Sequence, residues 1–226
     1  MTSHFGAFGK LPALGDFLRM NLTPGFIDPW DRWLQEGLVL ARGALDAAWQ
    51  EAYFSAPIWR FTLSPGLAGA APVIGVMMAS VDRVGRQFPL TLASPLPDGA
   101  SAVFAHFLSL PLFEALDEIA LAALEDDMTR DLLQDRLAAL DLPSRPGGIS
   151  IRQGPAGLTA TGVGQDLLMP ELAAGLVEGG FRAPSVWSAE TAEGMRMMVC
   201  EGLPAGGQLV GLFDMAAPVW RRGDAG

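Results

Sequence analysis

The chain is poor in cysteine, and that shortage excludes several kinds of site. Among its 226 residues there is one cysteine, Cys200. A single cysteine excludes an internal disulfide and a metal cage built from thiolates. Cys200 lies in an apolar run over residues 195–200. We therefore expect a buried thiol and not a nucleophile, which would need a neighbouring histidine to activate it.

Histidine is almost as scarce, with only His4 and His106 in the chain. His4 lies in an N-terminal segment that we expect to be frayed. His106 lies in an apolar helical stretch, where a hydrogen-bonded core or boundary histidine is the simpler interpretation. Two distant histidines without a supporting cluster of carboxylates do not indicate a metal site. We expect no metal and no cofactor.

Long hydrophobic runs are absent, although the mean hydropathy of +0.29 is high. The most apolar windows are residues 73–81 and 110–124. The first is too short to cross a bilayer, and the second is interrupted by Glu114, Asp117 and Glu118. The N-terminus shows no basic cluster leading into an apolar run, so no signal peptide is predicted. The sequence predicts a cytoplasmic protein with no transmembrane segment.

Basic residues are outnumbered, and the formal net charge is −10 with a pI of about 4.6. A phosphate backbone would be repelled by this charge, so we expect no nucleic acid partner. Many of the carboxylates fall within residues 114–135. A solvated helix face is the simpler interpretation of that cluster, and a docking surface for a partner is the alternative.

Apolar residues make up half of the chain, with 6 tryptophans and 12 phenylalanines, enough for one sizeable core. Alternating or continuous apolar runs predict strands at residues 5–8, 58–63, 73–78, 88–93, 149–152, 158–161, 185–188 and 195–200. Apolar residues at spacings of three and four predict helices at residues 28–53, 101–126, 129–140 and 166–178.

These elements predict one α/β fold. Asp28 and Pro29 have the chemistry of a helix cap and first turn, and Ser101 and Thr129 are further candidate caps. The segment 73–78 is expected to be a central strand paired antiparallel with the next one. Strands interleaved with helices predict a single-domain sandwich over residues 1–226, with a mixed, largely antiparallel central sheet and helices on both faces. The tail 221–226 is expected to be frayed.

Two turns concentrate charge, glycine and proline between apolar flanks, at residues 9–17 and 80–90. The first turn lacks the earlier glycine and the following Ser or Thr of a phosphate-binding loop. Elsewhere, residues 162–167 lack the third glycine of a dinucleotide fingerprint, and no serine-hydrolase elbow is found in the sequence. Asp82, Arg83 and Arg86 suit either of two roles: an internal carboxylate–guanidinium bond that ties the turn, which is the simpler one, or binding of an acidic or phosphorylated ligand. Lys10 and Asp16 supply similar groups in the first turn.

The same turns, in order with two other segments, resemble the TagF proteins of bacterial type VI secretion systems. The resemblance rests on residues 9–17 (GKLPALGDF), 26–34 (FIDPWDRWL), 57–61 (PIWRF) and 80–90 (SVDRVGRQFPL). It covers roughly residues 5–95, and the segment 184–187 (PSVW) adds a weaker match. The family often has proline before the serine of the fourth segment, where this chain has Ala79.

The resemblance implies an α/β sandwich and a cytoplasmic accessory protein that is not an enzyme. TagF-like proteins act as post-translational negative regulators of type VI secretion, with the forkhead-associated scaffold protein of that system as partner. No catalytic residue is implied. The candidate binding or structural motif consists of Lys10, Asp16, Trp59, Arg60, Asp82, Arg83 and Arg86.

Two alternatives remain at this point. The protein is an anionic small-ligand binder or an enzyme if Lys10, Asp16, Asp82, Arg83 and Arg86 line one cleft. This alternative fails if Lys10 and Arg83 lie on opposite sides of the fold. In the second alternative the two turns only brace the fold, and a buried charge such as Arg83 would be costly to remove.

Overall fold

The fold is built on one seven-stranded sheet that uses both ends of the chain. A computed structural model describes residues 5–144, 150–154, 156–162 and 164–221. The sheet consists of β1 (Gly6–Gly9), β2 (Leu18–Met20), β3 (Trp59–Leu63), β4 (Val73–Met78), β5 (Leu90–Pro95), β8 (Pro184–Thr191) and β9 (Gly194–Glu201). Their order is β2-β1-β5-β4-β3-β8-β9, and every neighbouring pair is antiparallel. The sheet is therefore antiparallel throughout the described strands, and not mixed.

Helices cover both faces of the sheet, as predicted. They are α1 (Pro24–Leu45), α2 (Trp49–Ser55), α3 (Ala102–Leu108), α4 (Leu110–Ala122), α5 (Arg130–Ala138), α6 (Gln165–Gly180) and α7 (Gly207–Val210). Helices α1, α2 and α7 share one apolar core with one face of the sheet, whereas α3 to α6 cover the other face. A separate hairpin, β6 (Ser150–Gly154) with β7 (Gly157–Thr161), packs against α6.

Aromatic rings join α1 to the centre of the sheet. Trp30 is fully buried, with its ring 4.8 Å from Phe61 and 6.1 Å from Trp187, and the two indoles are nearly parallel at 4°. The indole N–H of Trp30 donates to Thr91 Oγ1 at 3.0 Å, so its polar atom is satisfied inside the core. Trp30 of the first helix therefore packs the core.

The first helix differs from its prediction at both ends. It begins at Pro24 after the extended residue Thr23, so Pro29 lies inside the helix and Asp28 is not the cap. Pro24 takes the first-turn position that was predicted for Pro29, and Phe26 in this additional turn is buried. The helix also ends before Tyr53, because Asp46 takes a positive φ of 44° and a 3₁₀ turn, Asp46–Ala48, separates α1 from α2.

The second helical region is also divided. The segment predicted at 101–126 forms α3 and α4, which separate at Ser109, and the break precedes Pro111. The caps are confirmed: Ser101 Oγ accepts from the backbone N–H of Phe104, and Thr129 Oγ1 accepts from that of Leu132.

The predicted strands agree with the structure to within a few residues, whereas β2 (Leu18–Met20) was not predicted. The central strand β4 and its antiparallel pairing with β5 are confirmed, and β5 lies two residues later than predicted. The helix predicted at residues 166–178 is α6, which continues through Gly180 and ends before Phe181. The predictions for His4, residue 149 and residues 222–226 fall outside the described residues.

Candidate functional site

The two charged turns lie side by side at one end of the sheet. The first turn follows β1, which pairs with β5, and the second turn connects β4 to β5. Ser80 Oγ donates to the carbonyl oxygen of Lys10 at 2.8 Å. The hydroxyl of Tyr53 donates to the Ser80 carbonyl at 2.7 Å and accepts from the Ser80 N–H at 3.1 Å. These hydrogen bonds thus join helix α2 and both turns at Ser80.

Asp82 is the centre of the charged contacts. Its Oδ2 atom lies 2.9 Å from Lys10 Nζ and 2.6 Å from Arg86 Nε. Its Oδ1 atom accepts from the backbone N–H groups of Val84 at 3.1 Å and Arg86 at 2.9 Å. The carboxylate–guanidinium bond considered from the sequence is present, and a lysine from the other turn completes it.

The Lys10–Asp82 pair is withdrawn from water. The side chain of Asp82 is 0% exposed and that of Lys10 is 8% exposed. Burial raises the pKa of Asp82, but the hydrogen bonds from Lys10 and Arg86 outweigh burial and hold this pKa well below its ordinary value. Asp82 is therefore ionised at neutral pH and fully paired, which suits a brace and not a general base.

The two turns are also joined through backbone and aromatic contacts. Arg86 Nη2 donates to the carbonyl oxygen of Gly15 at 3.2 Å, and the N–H of Arg83 donates to that of Leu14 at 3.3 Å. Lys10 Nζ lies 5.3 Å from the ring centroid of Phe17, which packs in turn on Phe88. Each turn therefore restricts the conformation of the other.

Other candidate residues face the solvent. Arg83 and Asp16 are exposed, and neither forms an ion pair with any residue that the structure describes. The side chain of Arg86 is 63% exposed despite its bond to Asp82. Lys10 and Arg83 lie on the same side of the fold, yet the charges divide into a buried pair and exposed arginines. Arg83 is consequently not a buried brace.

Trp59 and Arg60 belong to a different part of the molecule. Trp59 is buried and its indole N–H donates to the carbonyl oxygen of Leu212 at 2.7 Å. Arg60 points to the opposite face of β3, where Nε lies 2.9 Å from Asp117 Oδ2 and Nη1 lies 3.0 Å from Glu190 Oε1. These contacts connect β3 to the segment after α7, to α4 and to β8, so the structure gives both residues packing roles away from the two turns.

His106 lies beside Arg60 in a buried polar row that the sequence did not predict as a cluster. Its ring nitrogens lie 3.3 Å from Thr62 Oγ1 and 2.8 Å from Ser188 Oγ. Burial, with the nearby charge of Arg60, lowers the pKa of His106 to about 3. The ring is therefore neutral and hydrogen-bonded. The sequence did contain one sign of this row. Arg60 and Thr62 are two positions apart, and so on the same face, in an otherwise apolar strand.

Reactive groups are not assembled elsewhere in the described part of the chain. Burial raises the pKa of the Cys200 thiol to about 11, which disfavours the thiolate. No group of three histidine, cysteine or acidic side chains within the described ranges is placed to hold a metal ion. In the same ranges, none of the helices has the length and apolar character needed to span a bilayer.

Comparison with known proteins identifies the family. The chain is similar to the crystal structure of PA0076 from Pseudomonas aeruginosa PAO1, with a TM-score of 0.74, 31% sequence identity, and coverage of 94% of this chain and 95% of that one. No curated protein sequence matches at a significant level. Residues 6–140 match the model of the TagF N-terminal domain, described as type VI secretion system-associated. Both charged turns lie within the matched residues, and the chain belongs to the TagF N-terminal domain family of type VI secretion-associated proteins.

Proposed function

We propose that the protein is a non-enzymatic cytoplasmic regulator that restrains type VI secretion by binding a component of the machinery. The forkhead-associated scaffold protein of that system is the proposed partner. The observation that carries this proposal is the match of residues 6–140 to a type VI secretion-associated family. The restraint acts after synthesis of the machinery, by occupancy of the partner and not by chemical modification.

The geometry of the two turns supports a binding role over catalysis. The one buried carboxylate there, Asp82, is saturated by two cations and two backbone N–H groups. The one buried cation, Lys10, is paired with that carboxylate. A catalytic acid or base must be free to exchange a proton with a substrate. These two groups are instead paired with each other and nearly removed from water. What remains available is a fixed, solvent-facing surface.

A second candidate function is the binding of a small anion. It is favoured by one observation, that the exposed guanidinium groups of Arg83 and Arg86 belong to the same short turn. Two arginines at such spacing suit a phosphate or carboxylate ligand. Calorimetric titration of the wild type and Arg83→Ala with inorganic phosphate tests it. A saturable heat in the wild type alone would favour this second function, whereas no heat at millimolar phosphate would exclude phosphate as the ligand.

The regulatory proposal is tested by affinity capture and by secretion. The tagged protein is expressed in bacteria that carry a complete type VI secretion cluster, and captured proteins are identified by mass spectrometry. We expect capture of the scaffold protein and a fall in secretion when the protein is overproduced. Failure to recover any component of the machinery, together with unchanged secretion, would overturn the proposal.

A further inference from the structure

We propose that a surface formed by Arg42, Arg83 and Arg86 with Phe17 and Val84 docks an acidic, partly apolar segment of a protein partner. We call it the arginine surface. The inference rests on the proposed function and names the docking face and the chemistry of the bound segment.

The arginine surface is locally basic in an acidic protein. Arg83 and Arg86 are exposed at the second turn, and Arg42 joins them through Gln87, whose Oε1 atom accepts from Arg42 Nη2 at 3.0 Å. Within the two turns, the three cations Lys10, Arg83 and Arg86 outnumber the two carboxylates, Asp16 and Asp82. The chain as a whole carries −10, so the surrounding surface repels an acidic partner that this surface attracts.

The Arg42 guanidinium is not held in an ion pair. Asp46 and Glu51, in the helical segment that follows Arg42, form no ion pair with it within the described residues. The Arg42 guanidinium instead lies 5.4 Å from the ring centroid of Trp49. A stacked guanidinium keeps its N–H donors at the ring edge free for a carboxylate.

Apolar side chains stand among the arginines. Val84, at the tip of the second turn, is 73% exposed, and Phe17 is 44% exposed. Arginine and aromatic residues are enriched at protein interfaces, whereas a site for a free anion needs no exposed valine at its tip. The mixture therefore favours an acidic protein segment with an apolar side chain over a small anion.

The arginine surface is rigid before any partner arrives. The Val84 and Arg86 backbone is fixed by Asp82 Oδ1, and the Arg86 side chain by Asp82 Oδ2 and the Gly15 carbonyl. Binding to a rigid surface loses less conformational entropy than binding to a mobile loop. Asp82, buried with Lys10, thus holds the Arg86 side chain and the backbone of the turn that carries Arg83.

The test uses Arg83, because its side chain forms no ion pair among the described residues. Its substitution therefore leaves the buried Lys10–Asp82 pair intact. The intact chain carrying Arg83→Glu is compared with the wild type and with Arg32→Glu. Arg32 is an exposed arginine on α1, so the control makes the same change of charge elsewhere. Capture from cells with a complete secretion cluster is measured over a range of salt concentrations. We expect Arg83→Glu to lower capture of the scaffold protein at least about tenfold, and Arg32→Glu to leave it within about twofold.

A second measurement locates the contact. The photo-crosslinking amino acid p-benzoylphenylalanine replaces either Val84 or Leu176, which lies on α6 over the other face of the sheet and is 63% exposed. We expect an adduct with the scaffold protein from position 84 and none from position 176. Adducts from position 176 alone, or equal capture by Arg83→Glu and the wild type, would overturn the docking surface and leave the proposed function standing.

Two further outcomes separate the remaining possibilities. An adduct between two copies of this chain at position 84 would assign the arginine surface to self-association and overturn the inference. Failure of the wild type to capture any component of the secretion machinery would overturn the proposed function, and the docking surface with it.

Discussion

Lys10 and Asp82 form an ion pair of 2.9 Å in which both side chains are nearly removed from water. One residue follows the first strand and the other follows the fourth, and the pair holds two distant segments at one end of the sheet. Each charge of this buried pair is already neutralised by the other, so the pair offers little to a ligand. The exposed arginines around it are the groups that face a partner.

Removal of Lys10 should destabilise the protein far more than removal of Arg83. Lys10→Met deprives the buried Asp82 carboxylate of one of its two cations, and we expect Tm to fall by roughly 5–10 °C. Arg83→Ala should leave Tm within about 2 °C, because its side chain is exposed and forms no ion pair among the described residues. Differential scanning calorimetry of both variants checks this, and equal losses of Tm would contradict the division into brace and surface.

Two glycines of the turns should differ sharply in their tolerance of alanine. A Cβ atom on Gly9, which has φ of +130°, would overlap the carbonyl oxygen of Pro89, so Gly9→Ala should prevent stable folding. Gly85 also has positive φ, +81°, but no atom lies within 4 Å of a Cβ there. Gly85→Ala should cost only about 1–2 kcal/mol of unfolding free energy. Urea unfolding followed by circular dichroism distinguishes them, and a stably folded Gly9→Ala would show that β5 can move away.

The buried histidine predicts a loss of stability in acid. The unfolded chain protonates His106 near its ordinary pKa of 6.5, whereas the folded protein protonates it only near pH 3. Between these values the unfolded state binds more protons, so the free energy of unfolding falls as pH falls, by at most about 1.4 kcal/mol for each pH unit. His106→Gln should remove this part of the slope.

Unfolding curves of the wild type and His106→Gln at pH 7, 6, 5 and 4 provide the measurement. Burial raises the pKa of Asp117 nearby, which acts in the opposite direction, but both proteins retain it and the difference isolates His106. Parallel dependence on pH in the two proteins would show that the folded protein protonates the ring near its ordinary pKa, and would contradict this prediction.

The part of the chain that matches the family model should not fold alone. A fragment of residues 1–144 lacks β8 and β9, which leaves the edge of β3 unpaired and removes Trp187 from the stack on Trp30 and Phe61. We expect no cooperative thermal transition from this fragment, whereas a chain of residues 1–221 should melt like the full protein. A cooperative transition from the fragment would contradict our proposal that residues 1–226 form one domain.

The acidic helical region is the alternative docking site, and substitutions there test whether the partner binds to it. Glu118, Asp127 and Asp131 are exposed on and between α4 and α5. Reversal of all three to lysine should leave capture of the secretion component unchanged, because the arginine surface provides the docking. Loss of capture at unchanged Tm would instead assign docking to the acidic helices, and the salt dependence of capture would then belong to that region.

The sequence predicted those features that depend on neighbours in the chain. The run at residues 73–78 predicted a central strand because a continuous apolar segment of that length is buried on both faces wherever it pairs. The ion pair between Asp82 and Arg86 was considered because the two residues are four positions apart in the same turn. The pairing of Lys10 with Asp82 was not predictable, because it depends on the order β1-β5-β4 in the sheet.

Features assembled from several segments were missed for the same reason. The polar row around His106 draws on β3, α3 and β8, and Asp117 of α4 completes the charges around Arg60. Each of these residues alone has an ordinary alternative role. The start of α1 was misplaced because Pro24, like Pro29, suits a first turn; the additional turn places the buried Phe26 on the ring of Trp30.

The order of the strands has a consequence for how the protein is made. Strand β3 pairs with β4 from the next segment, but its other neighbour, β8, is synthesised more than 100 residues later, since Arg60 lies opposite Ser188. Pairings between such distant segments slow folding and prolong the life of incomplete states. A chain leaving the ribosome therefore carries an open strand edge and an uncovered aromatic surface until its last quarter arrives. We expect the yield of soluble protein to depend on chaperones and on growth temperature during synthesis, even where the finished fold is stable.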